Sequence, residues 1–132
     1  MLAIACCAVL TVSASTPNKI VIPNIEGYKT LKGDFHIHTI FSDGTVWPTT
    51  RVQEATWEGL DVIAITDHLD TRHQHMRKKG VFTDKCDRDY SYVLAKKAAG
   101  KKLLVIHGGE ISRGMPPGHW NCLFIKDNDK IC

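Results

Sequence analysis

The sequence predicts an α/β fold in which parallel strands alternate with helices. Three observations carry that reading. Apolar and turn signals run strand–helix–strand–helix–strand. Residues 61 to 66 (DVIAIT) and 102 to 107 (KLLVIH) are apolar runs of the kind buried on both faces of a parallel sheet. The chain's histidine- and carboxylate-bearing motifs all fall at the carboxyl ends of predicted strands, where such sheets bind ligands.

The elements follow in order. Residues 2 to 12 form an uncharged apolar run, followed by Ser13, Ala14 and Ser15. The run is shorter than the ~20 apolar residues that span a bilayer. It reads as the core of a secretory signal cleaved near Ala14, which implies a periplasmic or secreted protein; a buried strand is the alternative. Residues 15 to 30 read as an extended lead-in with a short edge strand at Ile20-Val21-Ile22. Residues 32 to 39 read as a strand. Pro48 suits the first turn of a helix running to about Glu58, with Val52, Ala55 and Gly59 on one face and Gly59 closing it.

The apolar strand 61 to 66 comes next, then a polar loop to about Thr83. A second helix is predicted from about Asp84 to Ala99, with Tyr90, Val93, Leu94 and Ala98 at helical spacing and Gly100 as its stop. Strand 102 to 107 and the Gly/Pro-rich loop 114 to 118 lead to a last strand over residues 120 to 125.

At 132 residues the chain has room for one domain, and a net charge of +3 with no basic stripe is too weak to imply nucleic-acid binding, so none is expected. If the leader is removed, Cys86, Cys122 and Cys132 remain. Their spacing forms no CxxC, so they read as small buried apolar side chains rather than a zinc site. Seven histidines are many for this length, and histidine is a common metal ligand and acid–base group.

His36 and His38 lie two apart on a strand, so both imidazoles leave the same face and can chelate one ion. Asp34 shares that alternation. Asp43 sits in a Ser-Asp-Gly turn and gains meaning from its company. Of Asp67 and His68, His68 is the favoured ligand and Asp67 its support. Glu110 follows two glycines that allow close backbone approach, and its carboxylate can bridge two metals. His119 follows Pro116-Pro117-Gly118, with Asn121 as its rival. His107 is either site wall or strand packing. Arg72 and His73, in a basic loop, and Arg113 are either a solvated surface or a cradle for an anionic substrate.

The motifs His36-x-His38-Thr39, Ser42-Asp43-Gly44, Thr66-Asp67-His68 and Gly109-Glu110, in this order, resemble the PHP family, named for polymerase and histidinol phosphatase. The likeness spans residues 30 to 125. It implies a distorted seven-stranded β/α barrel, of which residues 31 to 132 are the amino-terminal part. It also implies two or three divalent ions (zinc, manganese or iron) and a metal-activated hydroxide attacking the phosphorus of a small phosphate ester.

Carried over by motif, His36 and His38 would hold one metal and Glu110 would bridge it to a second, partly completed by His119. Asp43 and His68 would serve a third. Asp67, His68 and Glu110 are the expected catalytic groups. The leader and the segment MPPGHWN at residues 115 to 121 look most like exported bacterial PHP phosphodiesterases. The family's later ligands, a histidine and an Asp-x-His pair, have no counterpart after Asn121. The chain therefore reads as part of a longer enzyme, active only at full length. The alternative is a non-catalytic metal-binding or interaction module, or an inactive fragment.

Overall fold

The computed structural model describes residues 20–70, 87–112 and 118–131. Four strands form one curled sheet in the order β1 (Gly33–Ile37), β2 (Val62–Ile65), β3 (Leu104–Ile111), β4 (Trp120–Leu123). The first three are parallel, as expected, and each is joined to the next through a helix: α1 (Pro48–Glu58) and α2 (Tyr90–Ala99).

β4 departs from the parallel pattern. It pairs antiparallel with β3, placing Asn121 opposite Glu110 and Trp120 opposite Ile111. The connection explains the reversal. Eight residues separate Ile111 from Trp120, whereas a parallel crossover needs a dozen or more.

The alternation of β2 divides the core. Ile63 and Ile65 face the helices, in a cluster with Ile37, Val52, Ala55, Ala95, Ala99, Leu103 and Val105. Val62 and Ala64 face the other side with Ile106 and, less buried, Leu123. All four β2 side chains are buried, which is why this segment reads as an unbroken apolar run.

α1 matches its expected span. Pro48 starts it, Val52 and Ala55 are buried, and Gly59 ends it at φ 72° with its N–H directed to the Ala55 and Thr56 carbonyls. In α2 the buried stripe differs from the expected one: Ser91, Ala95 and Ala99 are buried, whereas Tyr90 and Val93 are exposed. Small side chains let α2 sit close to α1 and the sheet, so packing overrode the larger apolar residues.

A further expectation changes. Ile20, Val21 and Ile22 form no strand and are exposed; among the described residues no sheet edge pairs with them. Nearby, Ile25 and Tyr28 close a small turn, with the Tyr28 N–H donating to the Ile25 carbonyl at 2.8 Å. The leader over residues 1 to 14, the start of the second helix at residues 84 to 86, Cys86 and Cys132 lie outside the described residues. Cys122 is half-buried. No helix among the described residues is long and apolar enough to cross a membrane.

Candidate metal centre

The β1–β2 register shifts between Asp34 and Ile37. Such an irregularity re-aims the side chains that follow it. Asp34 lines the same cavity as His36 and His38, and its carboxylate accepts the His36 N–H at 3.0 Å. The His36 and His38 Nε2 atoms stand 2.8 Å apart. Both meet Glu110 Oε2, at 3.0 Å from His36 and 2.8 Å from His38.

Glu110 reaches them from the far end of β3. Its side chain is only 1% exposed. Its backbone is locked by two hydrogen bonds: the Glu110 N–H donates to the Asp67 carbonyl at 3.1 Å, and the Leu69 N–H donates to the Glu110 carbonyl at 2.9 Å. A Cβ on Gly109 would lie 2.8 Å from both the Asn128 side chain and Leu69. The glycine therefore lets the strand run against its neighbours just before the carboxylate.

The second Glu110 oxygen, Oε1, is buried and makes no well-aligned hydrogen bond. The His119 Nδ1 lies against it, and the His68 Nδ1 is 3.7 Å away. A buried carboxylate oxygen without a well-aligned hydrogen bond is costly unless positive charge, from a protonated imidazole or a metal ion, meets it. That feature, and the convergence of imidazole and carboxylate atoms within 4.8 Å of one another in three groups, fits bound divalent metal.

The groups are His36–His38–Glu110, His38–Asp43–His68 and His68–Glu110–His119. They share His38, His68 and Glu110, so they make one continuous centre. Asp43 lies 2.8 Å from His38 Nδ1 and 3.2 Å from His68 Nε2. The turn that delivers it needs Gly44, where a Cβ would come within 2.7 Å of the His38 carbonyl.

Burial alone would raise the Glu110 carboxyl. The His36 hydrogen bond and the charges of His68 and His38 outweigh it and hold the carboxyl below its ordinary value. Asp43 follows the same logic: burial pushes up, and His38 and His68 pull it below its usual range more strongly.

Asp67 has a different job from the expected one of supporting His68. It accepts the Thr39 N–H at 2.7 Å, the Thr39 hydroxyl at 2.7 Å and the Ser42 hydroxyl at 2.6 Å. Those bonds tie β2 to the loop carrying Asp43. His68 is instead backed by Ser112 and Asp70, with Ser112 Oγ 2.8 Å from His68 Nδ1 and 2.9 Å from Asp70 Oδ1. That pair was missed, although Ser112 lies two residues past Glu110 on an extended chain, a spacing that repeats side-chain direction.

His107 belongs to strand packing. Its ring stacks on Tyr92 at 4.1 Å, and its Nε2 meets Asp89 at 2.8 Å. Asn121, though opposite Glu110 in register, is exposed. Arg72, His73 and Arg113 lie outside the described residues.

No protein-family model matches the chain, and no curated protein matches it. Solved structures do. The chain is similar to a two-domain protein from Bacteroides vulgatus containing a predicted PHP-like metal-dependent phosphoesterase. The identity is 45%, the match covers 87% of this chain and 32% of that one, and the TM-score is 0.73. It is also similar to a protein from Bifidobacterium adolescentis described by inference as a metal-dependent phosphoesterase, with 28% identity, 72% and 27% coverage and a TM-score of 0.49. The chain thus spans about a third of the length of the first of these. The PHP resemblance carried by the four motifs is borne out, and the four-stranded sheet is consistent with part of a PHP-type barrel.

Proposed function

From this likeness to PHP-like proteins we propose that the chain carries much of the metal centre of a metal-dependent phosphoesterase. The observation that carries the proposal is the convergence of His36, His38, His68 and His119 on the buried Glu110 carboxylate. His36, His38 and Glu110 would hold one ion, with Glu110 Oε1 and His119 contributing to a second and Asp43 with His68 to a third. Bound divalent ions would supply activation of water and neutralisation of charge on phosphate oxygens.

The chain's own residues hold that arrangement rigid. Asp67 fixes the Asp43 loop through Thr39 and Ser42. Arg51 donates to the His38 carbonyl at 3.0 Å, tying the end of β1 to α1. The cluster of imidazoles around two carboxylates creates a site suited to an anionic ester once ions are present. Phosphodiesters are favoured over monoesters, on the resemblance to exported PHP phosphodiesterases. Export and activity only at full length belong to the same proposal.

The test pairs metal analysis of these 132 residues with hydrolysis assays on the complete gene product. We expect two or three equivalents of zinc, manganese or iron in the complete protein, and faster cleavage of bis(p-nitrophenyl) phosphate than of p-nitrophenyl phosphate. Metal uptake with neither ester cleaved would favour a binding module. No metal uptake at all would end the proposal.

A further inference from the structure

Resting on that metal reading, we propose that Ser112, held by Asp70, is a positioning residue that fixes the tautomer of His68. Ser112 is 1% exposed and lies between two partners. Asp70 Oδ1 is 2.9 Å from its hydroxyl and also accepts its backbone N–H at 3.2 Å. A carboxylate can only accept, so the single hydroxyl proton of Ser112 goes to Asp70. The serine oxygen is then an acceptor toward His68 Nδ1, 2.8 Å away.

His68 therefore carries its proton on Nδ1, and its Nε2 presents a lone pair. That lone pair faces Asp43 Oδ2 at 3.2 Å. In the neutral imidazole these are two acceptors facing each other, a gap that a proton closes at low pH and a metal ion can close above it. The serine–aspartate pair thus turns His68 into an Nε2 ligand directed at Asp43.

The same logic separates two overlapping groups. Ser42 donates to Asp67 Oδ1 at 2.6 Å and can accept from His38 Nδ1, 3.3 Å away. Asp43 Oδ1 accepts from the same Nδ1 at 2.8 Å. His38 is left with its Nε2 toward His36 and Glu110. His38 and His68 therefore serve different positions, although they are packed ring to ring at 4.6 Å.

The test is nitrogen-15 NMR of histidine-labelled protein, metal-free at alkaline pH and then titrated with zinc alone. The expected metal-free state of His68 is the Nδ1–H tautomer, with zinc perturbing Nε2. Ser112→Ala should abolish the preference and weaken zinc at the Asp43–His68 position by roughly 10–100-fold, the usual cost of losing a residue behind a ligand. It should leave the His36–His38–Glu110 position filled, and Ser112→Thr should restore the wild-type signature.

Asp70→Ala frees the serine proton to donate to His68, so the tautomer should invert; this variant answers the question even where Ser112→Ala does not fold. An Nε2–H tautomer in the wild type, or unchanged spectra in Asp70→Ala, would overturn the assignment. Since the metal-free tautomer is read without zinc, a protein that binds none defeats the metal reading separately.

Discussion

The two faces of β3 carry histidine–carboxylate clusters of similar composition and opposite construction. On the helix side, His107 has one carboxylate partner, Asp89 at 2.8 Å, and a flat aromatic neighbour in Tyr92. Asp89 also accepts the Asn128 N–H at 3.0 Å, so a single carboxylate braces the helix start, the strand and the 3-10 turn Asn128–Lys130. On the other side, Glu110 collects four imidazoles and still leaves Oε1 without a hydrogen bond. Each cluster thus contains one buried oxygen without a hydrogen bond: Glu110 Oε1, with the His119 imidazole against it, and Asn128 Oδ1. The difference is charge. A neutral amide oxygen costs little by comparison, whereas a buried carboxylate oxygen demands a cation. One cluster is closed on itself; the other is built around something additional.

The strongest way to break this comparison is Glu110→Gln. The change keeps the shape and removes the charge that all three positions need or neighbour. Zinc affinity should fall by more than the roughly 100-fold upper end seen when a residue merely behind a ligand is lost. Far-UV circular dichroism should be unchanged. Retention of wild-type zinc affinity, measured by competition with a chelating dye, would show that the carboxylate is structural like Asp89.

The reciprocal change is His107→Ala. It removes a hydrogen bond to a carboxylate and a stacked aromatic pair from a half-buried position. Urea unfolding should register a loss of about 2–3 kcal/mol, with zinc affinity unaffected. A variant that unfolds like the wild type but loses zinc would reverse the roles given to the two faces.

The sequence showed these two clusters unequally. His36, His38, Asp43, His68, Glu110 and His119 were readable because each stands beside a local signal: alternation on a strand, an Asp-Gly turn or a glycine pair. The parallel order of β1 to β3 and the span of α1 were readable for the same reason. The support expected of Asp67 comes instead from Ser112, which had no expected role, because hydrogen-bond partners depend on which loop arrives above each side chain. His107 was ambiguous because its partners come from residues 15 to 21 positions away. The face of α2 was misread because Ser91 and Ala95 gain their burial from close helix packing, which hydrophobicity does not express.

The smallest expected effect concerns acid. Glu110 and Asp43 are both held below their ordinary values of 4.5 and 3.8 by neighbouring imidazoles that outweigh burial. A carboxyl with a depressed folded value contributes stability that is present above its unfolded value and lost as pH falls through the folded one. Over that interval the unfolded chain binds more protons than the folded chain. The metal-free protein should therefore lose urea resistance progressively as pH drops below about 4.5, with the loss shallower in Glu110→Gln. Asp43→Asn should change the slope less, because the Asp43 side chain is 52% exposed and water screens its imidazole partners. Equal slopes in all three proteins would mean that the imidazoles do not hold these carboxylates in the absence of metal. The site would then be organised by the ions themselves rather than offered to them ready-made.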